Sequence, residues 1–200
     1  ALGGRGDLEL RPAWSLSWFR GVASLRALAE GDSGSADLAL QLGRELGLRG
    51  VLADLDLRAS ALLAPELELR GRGTAHLELE DLAALPRGQL ELDATQGSLA
   101  LPGLPLAIPF DRLAFSAELG GERGLLRLLQ CELSGPALSA VVEGGIGPGS
   151  RFDSAPLELR IALRVEPALR PALQAAGLPL DAQGRARLRV SGSAARPELR

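Results

Sequence analysis

The chain contains no lysine, methionine, asparagine or tyrosine, and only one cysteine, one histidine and six aromatic residues occur among its 200 positions. Each scarcity excludes something. A single thiol, Cys131, cannot close an intramolecular disulfide, and with His76 as the only imidazole no Cys/His metal cluster can be assembled. A lone cysteine suits cytoplasm and periplasm alike, so cysteine usage leaves the redox compartment open. The missing Lys, Asn and Tyr, beside abundant Ala, Gly, Leu and Arg, point to a GC-rich coding bias rather than to a function. No run of about 18 apolar residues is present. Without a methionine, the chain is expected to be a piece of a longer protein, with any signal or membrane-spanning helix upstream of Ala1. Neither sign of charge predominates. The 22 basic and 25 acidic residues are intermixed and sum to -3, so there is no basic field of the kind that holds a nucleic-acid backbone, and no nucleic-acid partner is expected.

What is abundant is alternation. Over residues 66–80, Leu67, Leu69, Gly71, Gly73, Ala75, Leu77 and Leu79 share one parity, and Glu66, Glu68, Arg70, Arg72, Thr74, His76, Glu78 and Glu80 share the other. Successive strand side chains point to opposite faces, so this is one apolar and one solvated face along roughly 45 to 50 Å at about 3.3 Å per residue. That is long for a strand of a globular protein unless Gly71 and Gly73 mark a bend or bulge. The pattern returns at Leu157, Leu159, Ile161, Leu163 and Val165, and at Ala186, Leu188, Val190 and Gly192. It is also present at Leu138 to Ile146, at Leu113, Phe115, Ala117 and Leu119, at Leu90, Leu92 and Ala94, and at Leu38, Leu40 and Leu42. At least seven strands are expected. Turn chemistry separates them, as in Gly31-Asp32-Ser33-Gly34, Pro86-Arg87-Gly88, Gly120-Gly121-Glu122 and the glycines of 144–149. Connections this short join antiparallel neighbours, which makes a meander.

Three segments break the period of two and predict short helices: 21–30, 58–64 and 167–176, the last opening at Pro167 and closing at Gly177. The first reads equally well as a strand pairing through the Gly31 turn with residues 36–42. Two or three short helices cannot cover the leucine face of seven strands, so the sheet must curl on itself. The expected fold is mainly β, a long curved antiparallel meander forming a U-shaped half-barrel or a sandwich. Residues 1–33 are read as a lead-in on the membrane-proximal side, and 34–200 as the β domain with a helical insertion near 167–177.

Side chains suited to catalysis are scattered. His76 lies on the polar parity with no nucleophile motif nearby, and the carboxylates alternate with arginines as cross-strand pairs would. An enzyme is not expected, nor is a cofactor or metal. Gly144, Gly145, Gly147 and Gly149 lack the lysine and following helix of a phosphate cradle and read as a turn between strands. Cys131, on the parity of Leu133, reads as an inert buried thiol. Trp14, Trp18 and Phe19 suit core packing or a membrane interface. Arg160, Arg164, Arg185, Arg187 and Arg189 fall on outward parities and read as a solvated face balanced by Glu158 and Glu166 in preference to an anion-binding patch. Arg5-Gly6-Asp7 is too short to signify adhesion. The candidate binding surface is therefore the apolar face itself: Leu67, Leu69, Leu77, Leu79, Phe115, Leu157, Leu159, Ile161, Leu163, Leu188 and Val190.

The run Leu104-Pro105-Leu106-Ala107-Ile108-Pro109-Phe110-Asp111-Arg112-Leu113, the strand pair after it, the strand over 157–165, the insertion over 167–180 and the closing Val190-Ser191-Gly192-Ser193-Ala194-Ala195-Arg196-Pro197 together resemble the N component of the bacterial type II secretion system. Residues 51–57 and 69–79 fit the same likeness, which reaches from about residue 34 onward. The closing strand with its Gly-Ser and Pro-x-Leu pattern is also similar to AsmA-like and TamB-like envelope proteins. The resemblance implies a periplasmic β domain anchored to the inner membrane by an upstream helix and acting as a non-catalytic accessory among other secretion-apparatus proteins. Its alternative implication is a lipid-binding or lipid-transport module that holds acyl chains in an apolar groove.

Overall fold

The computed structural model describes residues 7–13, 23–31, 34–42, 46–58, 68–82, 85–100, 107–121, 124–149, 151–193 and 195–199. Along them run strands β1 (Asp7–Ala13), β2 (Ala23–Gly31), β3 (Gly34–Leu42), β4 (Gly47–Asp56), β5 (Glu68–Glu80) and β6 (Arg87–Ala100). Then follow β7 (Ala107–Gly121), β8 (Gly124–Ser134), β9 (Leu138–Ile146), β10 (Leu157–Val165), helix α1 (Arg170–Ala175), β11 (Arg185–Ser193) and β12 (Arg196–Leu199). All twelve strands belong to one sheet whose spatial order is the chain order. Every pairing is antiparallel, as short connections require. The result is a curved open sheet, mainly β as the alternation predicts. It is a single layer rather than the two packed sheets of a sandwich.

Register follows from the leucines, because a slip of one residue would turn every one of them to the wrong side. Leu38, Gly50, Leu77, Leu90, Ala117 and Leu128 pair successively across β3 to β8, and Gly144, Leu159, Val190 and Leu199 continue the row across β9 to β12. Extra residues interrupt the ladder at three places: in β4 between Leu52 and Leu55, in β6 opposite Arg70 and Arg72, and in β8 between Leu128 and Glu132. The first two hold Asp54 and Gln96 at φ 55°, the left-handed conformation that bulges recruit. The β6 bulge explains a change of parity: Leu90, Leu92 and Ala94 precede it on one set of positions and Leu99 follows it on the other.

Within the segment 21–30 the described residues, 23–30, lie in β2 rather than in a helix, and β2 pairs with β1 and β3, so the reading as a strand is the one realised there. Cross-strand pairing outweighs the helical propensity of Ala and Leu there. Both strands within residues 1–33 thus belong to the same sheet as the rest. Of the segment 58–64 only Arg58 is described, and it lies in a 3-10 turn after β4. The third segment does contain a helix, but it starts at Arg170, with Pro171 in its first turn and Gly177 at φ 88° just beyond its end. Pro167 lies outside it, in the turn leading from β10.

Two buried clusters hold the sheet in its curve. Val165, Ile108 and Leu138 pack with Leu169 and Leu173 of the insertion, so α1 lies over one end of the apolar face. Leu57, after β4, packs on Ala94 and Phe110. These two lids leave most of the leucine face beyond them with no second layer among the described residues.

Candidate apolar groove and its charged back

Ten of the eleven candidate groove residues are described; Leu67 lies outside the described residues. The structure sets them in adjoining rows. Leu77 stands opposite Leu90, Leu79 opposite Leu48, and Leu69 opposite Leu99. Phe115 faces Leu92 on one side and Cys131 on the other. Leu159 pairs with Val190, Ile161 with Leu188 and Val142, and Leu163 with Ala186 and Ala140. Leu157 lies opposite Ile146. Among them only Leu188, at 8 % exposure, is buried, and the others are half-buried. A packed interior would bury them all, so the arrangement is a shallow apolar trough, closed at one end by the insertion and by Leu57.

Alternation missed the residues that make the closed end: Leu57, Ile108, Phe110, Leu169 and Leu173, each at 6 % exposure or less. Ile108 and Phe110 occupy even positions, whereas Leu113, Phe115 and Ala117 occupy odd ones, so a strict count of two assigns them to the wrong face. The parity break in the Ile108-Pro109-Phe110 run was the available signal.

Cys131 is a half-buried free thiol on the apolar face. Burial pushes its pKa up, and the neighbouring Glu132 carboxylate adds to the shift. His76 is exposed on the other face beside Val51 and Glu91, its cross-strand neighbours, where the polar parity places it. No group of three or more possible metal ligands occurs among the described residues. Gly147 and Gly149 sit in the connection after β9, but Gly144 and Gly145 lie within that strand, which corrects the reading of all four as a turn. A Cβ at Gly144 would strike the carbonyl of Glu158, and one at Gly145 that of Leu126, so these glycines permit close approach of β10 and β8. Above them is an open hollow of about 550 Å³ flanked by Arg127, Glu143, Glu158 and Arg160.

The back of the sheet carries the charges. Arg49 donates to Glu78 and Arg72 to Asp54; Arg112 donates to Asp93 through Nη2 at 2.6 Å. The Asp93 carboxylate raises the pKa of Arg112, and the Arg58 side chain, donating to Asp56, holds that carboxyl below its ordinary range. On β10 and β11 the pattern changes. Arg160 lies directly opposite Arg189, and Arg164 opposite Arg185, with Arg187 between them opposite Ala162. Glu158 accepts a hydrogen bond from Arg189 at 2.6 Å, but Glu166, the other expected counter-charge, makes no ion pair with a described residue.

Comparison of the chain with protein-family models, curated proteins and solved structures gives no match.

Proposed function

We propose that this chain is a non-catalytic module of the bacterial cell envelope, on the periplasmic side of the inner membrane, that holds acyl chains along its leucine trough in the manner of AsmA-like and TamB-like proteins. The observation that supports this reading is the unbroken apolar row through β3 to β12, most of it half-buried and, among the described residues, covered at one end only. Each methylene removed from water contributes about 0.8 kcal/mol, so a guest of a dozen carbons gains enough to bind even after losing its freedom of motion. Native mass spectrometry of the chain purified without detergent should show bound lipid, and Leu90→Glu with Leu159→Glu should abolish it while the far-ultraviolet spectrum stays that of a β protein. A chain that carries no lipid and does not displace a fluorescent fatty acid would rule the reading out.

A second reading, an accessory of the type II secretion apparatus that docks other secretion proteins, draws on a different feature. Among the described residues each of β1 and β12 has one strand neighbour, so each leaves a row of backbone donors and acceptors open to strand addition. A photo-crosslinker replacing Glu198 in β12 should capture inner-membrane secretion components in intact cells. Capture of none of them would remove this reading and leave the first untouched.

A further inference from the structure

The outward face of β10 and β11 concentrates arginine in a chain whose total charge is -3. Side chains alternate by about 6.6 Å along a strand and strands lie about 4.8 Å apart, so Arg160, Arg164, Arg185, Arg187 and Arg189 spring from a rectangle of about 13 by 5 Å. All five are exposed. Arg189 is held by Glu158, whereas the guanidinium groups of Arg160, Arg164, Arg185 and Arg187 make no ion pair with a described residue. The cross-strand neighbours reinforce this: Arg164 faces Ser139 and Arg187 faces Ala162, and only Arg160 has a carboxylate, Glu143, in register beside it. Direct opposition of like charges destabilises an antiparallel pair, and here it occurs twice. A sheet selected for stability alone would alternate sign at these positions, as it does where Arg49 meets Glu78.

We propose that this face docks on an anionic phospholipid bilayer, with the guanidinium groups of Arg160, Arg164, Arg185 and Arg187 against headgroup phosphates. The cations spread too widely for one phosphate to bridge, and exposed charges hold a single free anion weakly. A bilayer surface meets all of them together, each adding about fivefold to partitioning, or about 1 kcal/mol. The negative total charge works against long-range attraction, so the contact acts within a Debye length of about 8 Å at physiological salt. The proposal does not depend on any guest in the trough, which lies on the opposite side of the sheet.

The test is flotation of the purified chain with vesicles of phosphatidylglycerol and phosphatidylcholine, and with phosphatidylcholine alone. Binding is expected to the first only, and to fall as salt is raised. The triple variant Arg164→Gln, Arg185→Gln, Arg187→Gln should lose about 100-fold in partitioning, with a thermal midpoint unchanged or raised because like-charge opposition is relieved. Leu90→Glu, which alters the trough, should float as the unaltered chain does. Equal flotation with neutral vesicles, undiminished binding of the triple variant, or displacement by inorganic phosphate at the lipid's own concentration would each overturn the proposal. So would stronger retention on a single-stranded oligonucleotide than on the vesicles, which would assign the face to nucleic acid.

Discussion

Gln96 and Asp54 adopt the same left-handed conformation at equivalent bulges, yet the two side chains are not equally suited to it. Aspartate tolerates that region and here accepts a hydrogen bond from Arg72, whereas glutamine has neither advantage. Gln96→Gly should therefore stabilise the protein by about 0.5–1 kcal/mol and Asp54→Gly should not, as read from urea midpoints. A destabilised Gln96→Gly would mean that the glutamine side chain supports the bulge in some other way. Cys131 yields a prediction of a different kind. Its raised pKa keeps the thiol protonated, so a disulfide reagent at neutral pH should modify the native chain far more slowly than the urea-unfolded one. Because the folded pKa lies above the unfolded one, the associated stability is complete at neutral pH and is lost as pH rises through the alkaline range. The apolar positions of β5 and β10 were legible in the sequence because alternation is periodic and register-independent. The conformation of Gln96 was not, since nothing local requires a glutamine to turn left-handed; the demand comes from the strand beside it.

Among the described residues, the insertion between β10 and β11 is the one element that works against the meander. Its helix has six residues, too few to persist alone, so it depends on what it packs against. Leu169 and Leu173 anchor it on the apolar side. Arg170 ties the other side by donating to three carbonyls: Val165 at 3.2 Å, Ala182 at 3.2 Å and Gln183 at 2.9 Å. Gly184, at φ 77°, lies so close to the Val165 carbonyl and to that guanidinium that a Cβ there would strike both. Leu173→Ala should cost about 2–4 kcal/mol through the cavity it opens, and Arg170→Ala about 2 kcal/mol through the bonds it removes. Both should also increase binding of a hydrophobic dye by uncovering Ile108, Leu138 and Val165; a variant that loses stability without binding more dye would show that the insertion does not serve as a lid. Proline and glycine marked this segment in the sequence. Arg170's role was invisible there, because its carbonyl partners lie 5, 12 and 13 residues away along the chain.

Across the sheet, strands contact chiefly the strands next to them in sequence, so stability accumulates interface by interface as in a repeat protein. Equilibrium unfolding should then depart from two states. Hydrogen exchange should find its slowest amides in β6, β7 and β10, against the two buried clusters, and faster ones in β12, which has four residues and a single neighbour among the described strands. Coincident sharp transitions by every probe would contradict this. Charge balance, one apolar face and the meander all follow from the composition and the period of two. Which end of that face is covered, and that arginine meets arginine across β10 and β11, depend on register, which pattern alone does not fix.

A ladder laid down in simple order never has to meet its own beginning, and this frees its width from any closure condition. A barrel of given strand number has a set girth, whereas here each added hairpin would widen the trough by about 10 Å and leave existing rungs undisturbed. The end of the β7–β8 hairpin, where Gly121 pairs with Gly124, is a natural place to splice one in. An architecture of this kind can be matched to the distance it must span by counting strands.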